Sequence, residues 1–174
     1  VCWRDDRNFL MDLFVRRLHW DGGKITAIDK NDFQINIPFE NTHVSHPDIA
    51  MTVNGIIAAV WSDDRVLVDG NKRNDIYARI FSKSTAYGSN RQLPSSVAEI
   101  QVSGVDTQND SALHPQIAHQ NGKFVIVWQN RNPETNASFI YAAVLNENGT
   151  ILHPEFLVDS GIETSRCSAP SIAA

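Results

Sequence analysis

One motif recurs three times along the chain, and each copy is centred on a tryptophan. The copies read V-C-W-R-D-D-R at residues 1–7, G-I-I-A-A-V-W-S-D-D-R at 55–65 and V-I-V-W-Q-N-R at 125–131. Self-similarity at intervals of about sixty residues is the sequence signature of a repeat architecture. We therefore expect residues 1–174 to form a single module built from three copies of one unit.

Four short segments recur in the same order along the units. Each is rich in Val, Ile, Phe and Tyr and is bounded by Gly, Pro, Asn, Asp or Ser, which is typical of β-strands. Asn-Gly, the strongest short hairpin signal, joins the first segment to the second in two units. The first segment lies at 46–50, 114–118 and 169–173, the second is the Trp motif, the third lies at 12–18, 75–81 and 139–145, and the fourth at 33–37, 99–103 and 155–159.

Four antiparallel strands in a unit of this length are typical of one blade of a β-propeller. The third segment is nearly continuous in apolar residues, as expected for a strand that neighbouring blades cover on both faces. No segment has the pattern of a helix of useful length. We therefore predict an all-β fold, a β-propeller of three four-stranded blades.

The tandem pattern "HPxIA…NGxFVVVWxDxR…DIYAxxF" resembles the β-propeller repeats of large secreted or surface-attached bacterial and archaeal proteins, which are similar in architecture to sialidase-like propellers. The resemblance covers essentially the whole chain. It implies an extracellular or cell-surface location, and it specifies the fold better than the activity. The third copy departs from the pattern, with Gln129-Asn130 in place of Asp63-Asp64 and Ala143 in place of Arg79.

The pair Asp63-Asp64 is the first candidate for chemistry, because two carboxylates could perform the general acid–base catalysis of a glycoside hydrolase. Catalysis needs one asymmetric constellation, however, and this pair recurs in register with Trp and Arg. We therefore favour a structural corner, in which the Asp accepts hydrogen bonds from turn amides and the Arg pairs with a carboxylate. The repeated residues assigned to such corners are Trp3, Trp61, Trp128, Arg7, Arg65 and Arg131.

Residues outside the repeat are the candidates for ligand binding, because a scaffold repeats and a site need not. His19-Trp20 follows a third segment, and the other units have no Trp there; its ring could stack on a sugar or pack between blades. Tyr87, in the long connection at 83–93, is the only Tyr outside the repeat pattern. Connections of this kind often carry recognition.

Metal binding is not expected. His46 and His114 recur before Pro, so we assign them to capping or packing, and a zinc site would need three or four converging ligands. The oxygen-rich stretch Asp69-Gly70-Asn71 loosely resembles a calcium loop, but its spacing differs from that of the EF-hand, and a solvated turn is favoured. No other cofactor is indicated.

Charge and hydropathy narrow the range of partners. The chain has 15 basic and 20 acidic residues, a net charge of −5, and its basic residues are scattered, which argues against nucleic acid. No apolar run approaches the roughly 20 residues that span a bilayer. A glycan or an extracellular protein is the expected partner.

The chain holds three units and starts partway through the first, which bears on how the ring of blades would close. Propellers close with four to eight blades. The first unit begins with the second segment, and a first segment follows the third unit. Two chains could thus complete each other's blades as a homodimer with a six-bladed ring, or the three blades could be part of a larger propeller. We predict a non-catalytic binding or scaffold module that could bind carbohydrate; a sialidase-like glycoside hydrolase and a purely structural spacer are the alternatives.

Overall fold

The computed structural model describes residues 1–7, 11–68, 70–88, 90–94, 96–104, 110–159 and 166–174, with Val68 described by its backbone alone. The described residues contain strands and no helix, so the prediction of an all-β fold is confirmed. The strands are β1 (Cys2–Asp5), β2 (Asp12–Val15), β3 (Leu18–Trp20), β4 (Ile25–Ala27), β5 (Phe33–Gln34), β6 (Val44–Met51), β7 (Ile56–Val68), β8 (Asn71–Ser82), β9 (Glu99–Gln101), β10 (Ser111–Gln120), β11 (Lys123–Arg131), β12 (Ser138–Asn146) and β13 (Ile151–Leu157).

Four antiparallel sheets contain these strands. The first sheet has the order β1-β2-β5, the second β6-β7-β8-β9 and the third β10-β11-β12-β13, while β3 and β4 form a separate hairpin. The Trp strand is the second strand of both four-stranded sheets, as the repeat predicts. The β3-β4 hairpin was not predicted, although Asp21-Gly22-Gly23 is a strong turn signal.

The apolar run of β7 is explained by burial on both faces. Ile57, Ala59 and Trp61 pack with the first sheet in one core cluster. Ala58 and Val60, which alternate with them, pack with the third sheet in a second cluster. The three sheets therefore lie face against face, with one core on each side of the second sheet, and a strand covered on both faces needs no polar positions.

The first strand of each four-stranded sheet contains a bulge at its His-Pro step. His46 and His114 have left-handed φ values of 51° and 52°. The pairing register shifts between Ser45 and Asp48 in β6, and the same shift occurs in β10. Left-handed backbone is uncommon for a non-glycine residue, and it occurs at the same place in both sheets, so the bulge belongs to the structure of the repeat.

The fourth strands end two or three residues earlier than predicted, because side chains replace part of their pairing. Leu13 N donates to Asn36 Oδ1 at 2.8 Å, where a backbone carbonyl would otherwise accept. The same substitution occurs twice more, from Ile76 N to Ser103 Oγ (2.7 Å) and from Ile140 N to Asp159 Oδ2 (3.0 Å). The predicted first strand at 169–173 forms no strand pairing among the described residues.

Candidate functional site

The Asp63 carboxylate closes a corner at the end of the Trp strand. It accepts hydrogen bonds from Trp61 Nε1 at 3.4 Å and from Arg65 N at 3.0 Å, and it forms an ion pair with the Arg65 guanidinium. Arg65 also pairs with Glu99 at 2.6 Å and lies 4.3 Å from the centre of the Tyr77 ring. Asp63 is completely buried, so no part of it faces a site where a substrate could lie.

The first sheet repeats this corner contact by contact. Asp5 accepts from Trp3 Nε1 at 3.3 Å and from Arg7 N at 2.9 Å, and it pairs with the Arg7 guanidinium. Arg7 pairs further with Asp32 and lies over the Phe14 ring at 4.1 Å. Two copies with equivalent partners are what a structural corner requires, and a catalytic site does not need to repeat in this way.

The third copy of the corner is incomplete. Asn130, two residues after Trp128, takes the place of Asp63 in the strand pairing. The predicted match of Gln129 to Asp63 is wrong, because the third copy has one residue fewer between its Trp and its Arg. Trp128 Nε1 is buried and has no hydrogen-bond partner. Arg131 is exposed and donates to Asn136 instead of to its own corner.

Asp64 points away from Asp63 and serves a different junction. Its carboxylate accepts from His43 N at 2.6 Å and lies 3.2 Å from His43 Nδ1 and 3.4 Å from Lys72 Nζ. The two adjacent carboxylates therefore bind separate partners. They do not form the facing pair that a glycoside hydrolase uses on either side of a scissile bond.

Arg79 is buried and binds only neutral groups through its hydrogen bonds. Its Nε donates to Val97 O (2.6 Å), its Nη1 to Ile35 O (2.6 Å) and its Nη2 to Pro94 O (3.1 Å). Its side chain is 2% exposed, and burial lowers the pKa of Arg79 below its ordinary value, although nearby Glu99 opposes the shift. The guanidinium thus fixes the long connection between β8 and β9.

The position of Arg79 is occupied by an arginine in two of the three units. Arg16 in the first unit likewise donates to carbonyls of the connection that follows it, those of Asp29 (3.4 Å) and Lys30 (3.3 Å). The third unit has Ala143 at this place, and its connection is a tight turn closed by Asn146 N to Thr150 O at 2.9 Å. The two units with long connections thus have an arginine that donates to carbonyls of the connection, and the unit with a tight turn has none at this place.

A cavity of about 420 Å³ lies beside Arg79, in the range typical of small-ligand sites. We call it the Arg79 pocket. Its walls combine one guanidinium, three side-chain amides and aliphatic surface. The described residues that line it are Asn36, Ile37, Pro38, Arg79, Gly88, Asn90, Gln92, Leu93 and Pro94.

Tyr87 anchors the connection that forms one wall of the Arg79 pocket. Its ring stacks on Phe33 with centroids 4.8 Å apart and an interplanar angle of 16°, and its hydroxyl donates to Asn31 O at 3.3 Å. Tyr87 does not line the pocket, so the residue chosen from the sequence holds the site in place. The sequence analysis missed the pocket itself; the signal available was an arginine shared by the two units that have long connections.

His19 and Trp20 lie on the β3-β4 hairpin, whereas Tyr87 lies in the connection after β8. Trp20 pairs with Ile25 across the hairpin and is 61% exposed. His19 pairs with Thr26 and points to the opposite face, where it lines a second cavity of about 370 Å³ with Leu18 and other apolar and basic residues. The three ligand-binding candidates from the sequence are therefore not brought together in one site.

The two repeated histidines meet between neighbouring sheets. The rings of His46 and His114 lie edge to face with centroids 4.0 Å apart, and His46 Nδ1 is 3.0 Å from Ser45 Oγ. Burial, followed by the charges of His114 and Arg4, lowers the pKa of His46. The histidines pack on each other, and within the described ranges no three His, Cys, Asp or Glu residues are grouped to hold a metal.

The predicted calcium loop lies partly outside the described residues, because Asp69 is not among them. Asp75, just beyond this loop, accepts hydrogen bonds from Arg73 Nη2 (3.0 Å) and Gln101 Nε2 (3.1 Å). Among the residues that the structure describes, no helix is long and apolar enough to cross a membrane.

In comparisons with known proteins, no family model matches the chain and no curated protein is significantly similar to it. The resemblance of its repeats to secreted propeller proteins therefore stays a prediction.

Proposed function

We propose that the chain is a non-catalytic binding module of an extracellular or cell-surface protein, and that it holds one unit of a glycan in the Arg79 pocket. The observation that carries this proposal is the pocket itself, a cavity of ligand size whose walls present hydrogen-bonding groups beside aliphatic surface. It is formed by a connection that the third unit lacks.

The scaffold in this proposal is a set of three β-propeller blades. Each four-stranded sheet follows the strand order of the chain, as in a blade. The first strands of neighbouring sheets also meet, since Ile117 N in β10 donates to Asp48 Oδ2 in β6 at 2.9 Å. Innermost strands that converge in this way are expected around a propeller axis.

The polar groups of the pocket match the hydroxyls of a sugar. Amide side chains such as those of Asn90 and Gln92 can both donate and accept, as sugar hydroxyls do. Arg79 lines the cavity, and backbone carbonyls hold its three guanidinium nitrogens in place. The aliphatic faces of Ile37 and Leu93 suit the C–H face of a pyranose ring.

The charge around the pocket favours an uncharged ligand. Glu99 lies behind Arg79 and accepts from Ile37 N at 2.5 Å, while its other oxygen binds Arg65. Together with Asp63, this local set contains two carboxylates and two guanidiniums. Because the charges balance, the site has no excess positive charge to attract an acidic sugar, and we expect neutral hexoses to bind better than sialic acid.

The hydrolase alternative is supported less well, because the proposed catalytic carboxylates Asp63 and Asp64 are each engaged at a structural junction. A purely structural spacer would make use of the corners but not of the pocket. The binding module is expected to bind a sugar at the Arg79 pocket, the hydrolase at its carboxylates, and the spacer to bind none.

The test is saturation-transfer NMR with the methyl glycosides of neutral hexoses and with sialic acid, on the whole 174-residue chain. We expect a signal from at least one neutral glycoside, lost in Asn90→Ala and in Gln92→Ala. Asn148→Ala is the matched control, because it removes the same side chain from the turn between β12 and β13, and it should leave binding unchanged. Absence of binding by all the sugars, or binding that survives both pocket variants, contradicts the proposal.

A further inference from the structure

The amide side chains of Asn90 and Gln92, which line the Arg79 pocket, are fixed in one orientation. The backbone nitrogen of Gln92 can only donate, so Asn90 has its Oδ1 atom toward it, at 3.3 Å. Asn90 Nδ2 then donates to Gln92 Oε1 at 2.7 Å. Because this bond occupies the oxygen of the Gln92 amide, the Nε2 atom is left to face the next residue. One backbone N–H therefore sets the polarity of both amides.

Gln34 of β5 is the residue that Gln92 Nε2 faces. Its Oε1 atom accepts the hydrogen bond at 3.0 Å. Gln34 is 4% exposed, and its own Nε2 atom is buried without a hydrogen-bond partner in the part of the chain that is described. A buried donor without a partner is unfavourable, so the orientation of Gln34 is explained by what Gln92 requires. Gln34 thus positions the Gln92 amide.

Asn36, the third side-chain amide of the pocket, is fixed by β2. Its Oδ1 atom accepts from Leu13 N at 2.8 Å, and its Nδ2 atom donates to Asp12 Oδ1 at 3.0 Å. A side-chain amide has two hydrogens on its nitrogen. In all three lining amides, therefore, the oxygen is already bonded, and one hydrogen has no partner among the described residues.

The hydrogen-bonding capacity that remains in these amides is mainly the capacity to donate. Each free N–H needs an acceptor, whereas an oxygen with one hydrogen bond is already satisfied. A sugar hydroxyl accepts a hydrogen bond but also brings a hydrogen that needs an acceptor of its own, and a carbonyl oxygen only accepts. Aliphatic surface from Ile37, Pro38, Leu93 and Pro94 lies in the same cavity and suits a methyl group.

We propose that the glycan unit in the Arg79 pocket is an N-acetylhexosamine, and that its acetamido carbonyl accepts a hydrogen bond from Gln92 Nε2. This inference rests on the proposed function and adds the class of sugar. The acetamido group has both features that fit the walls, an oxygen that only accepts and a methyl group that packs on aliphatic surface. It is uncharged, in keeping with the balance of carboxylates and guanidiniums around Arg79.

The test compares two pairs of methyl glycosides by saturation-transfer NMR on the whole chain, N-acetylglucosamine against glucose and N-acetylgalactosamine against galactose. The members of each pair differ only in an acetamido group in place of one hydroxyl. We expect the acetamido sugar of at least one pair to bind about tenfold more tightly, the ratio that one added hydrogen bond gives. Its methyl protons should receive strong saturation, because they lie against the aliphatic wall.

Gln92→Glu tests the donor directly. The new side chain has the same shape and still accepts from Asn90 Nδ2, but it has no hydrogen to donate to a carbonyl. Gln34 can turn its amide and donate to the new carboxylate, so we expect the variant to fold and to lose the preference for the acetamido sugar. Gln92→Met, which is uncharged, should lose the preference in the same way. Gln120→Glu adds the same charge at the exposed end of β10 and is the matched control, which should keep the preference.

The outcomes separate this inference from the proposed function. Hexoses that bind as tightly as their acetamido counterparts overturn the inference and leave the proposed function standing. A preference that persists in Gln92→Glu and Gln92→Met overturns the role given to Gln92. Failure of every sugar to bind refutes the inference and the proposed function together.

Discussion

Replacing Asp63 by Asn tests whether the repeated corner is structural or catalytic. The substitution keeps the shape of the side chain and removes its charge. The amide nitrogen then faces Trp61 Nε1 or the Arg65 guanidinium, and both of these are donors. Asn130 is the natural precedent, because in that copy of the corner the Trp128 indole nitrogen is left without a partner.

The expected loss of stability follows from the three hydrogen bonds that Asp63 accepts. A hydrogen bond to a charged group contributes about 1.5–3 kcal/mol, and the long contact from Trp61, at 3.4 Å, adds less. Breaking a buried ion pair costs about 3–5 kcal/mol, but Arg65 keeps Glu99 at 2.6 Å, which reduces this cost. We therefore expect the free energy of unfolding to fall by about 2–4 kcal/mol.

The assay is urea unfolding followed by tryptophan fluorescence, with Asp5→Asn as the matched control. Asp5 makes the same three contacts, but its side chain is 24% exposed whereas that of Asp63 is 1% exposed. Water can therefore replace its lost contacts, and its loss should be less than half as large. Equal losses in the two variants, or an Asp63→Asn protein with unchanged stability that no longer cleaves a glycoside, would refute the reasoning.

Three further predictions concern the connections and the histidine pair. Arg79→Leu should lower the free energy of unfolding by about 2–4 kcal/mol, since three buried carbonyls lose their donor, and urea unfolding measures this. Tyr87→Phe keeps the stack on Phe33 and should leave the amide exchange of Gly88, Arg91 and Leu93 unchanged, whereas Tyr87→Ala should speed that exchange. His46 has a lowered pKa in the folded state, so its neutral form should support full stability above about pH 6.5, with loss as the pH falls below that value. The melting temperature measured from pH 8 to pH 5 should show this fall, and His46→Asn, which tolerates the left-handed backbone, should flatten it.

The repeat predicts the strands well because each lies in a periodic burial pattern. The apolar alternation of Ile57, Ala58 and Ala59 reflects two different cores, and it is visible in the sequence as a continuous apolar run. The bulge at His46 was not predicted, because a residue before proline usually has extended backbone, whereas His46 has a φ of 51°. The ends of the fourth strands were also misjudged, since a side chain such as that of Asn36 can replace the backbone in pairing.

The candidate site was less accessible to prediction. The corner at Asp63 could be assigned from its recurrence alone. The Arg79 pocket depends on how the connection at 83–98 lies against residues 36–38, and no local pattern encodes that long-range contact. Tyr87 was selected as the only non-repeated Tyr, but whether it would contact a ligand or anchor a loop depended on its stacking with Phe33.

The central claim is that binding occurs at the non-repeated pocket while the repeated corners are structural. Amide chemical shifts recorded during titration with a neutral methyl glycoside test it most directly. The account predicts that the shifts change at Asn36, Ile37, Gly88 and residues 90–93 and stay constant around Asp5 and Asp63. Changes centred on the Asp63 corner or on the β3-β4 hairpin, or no changes at saturating sugar, would contradict it.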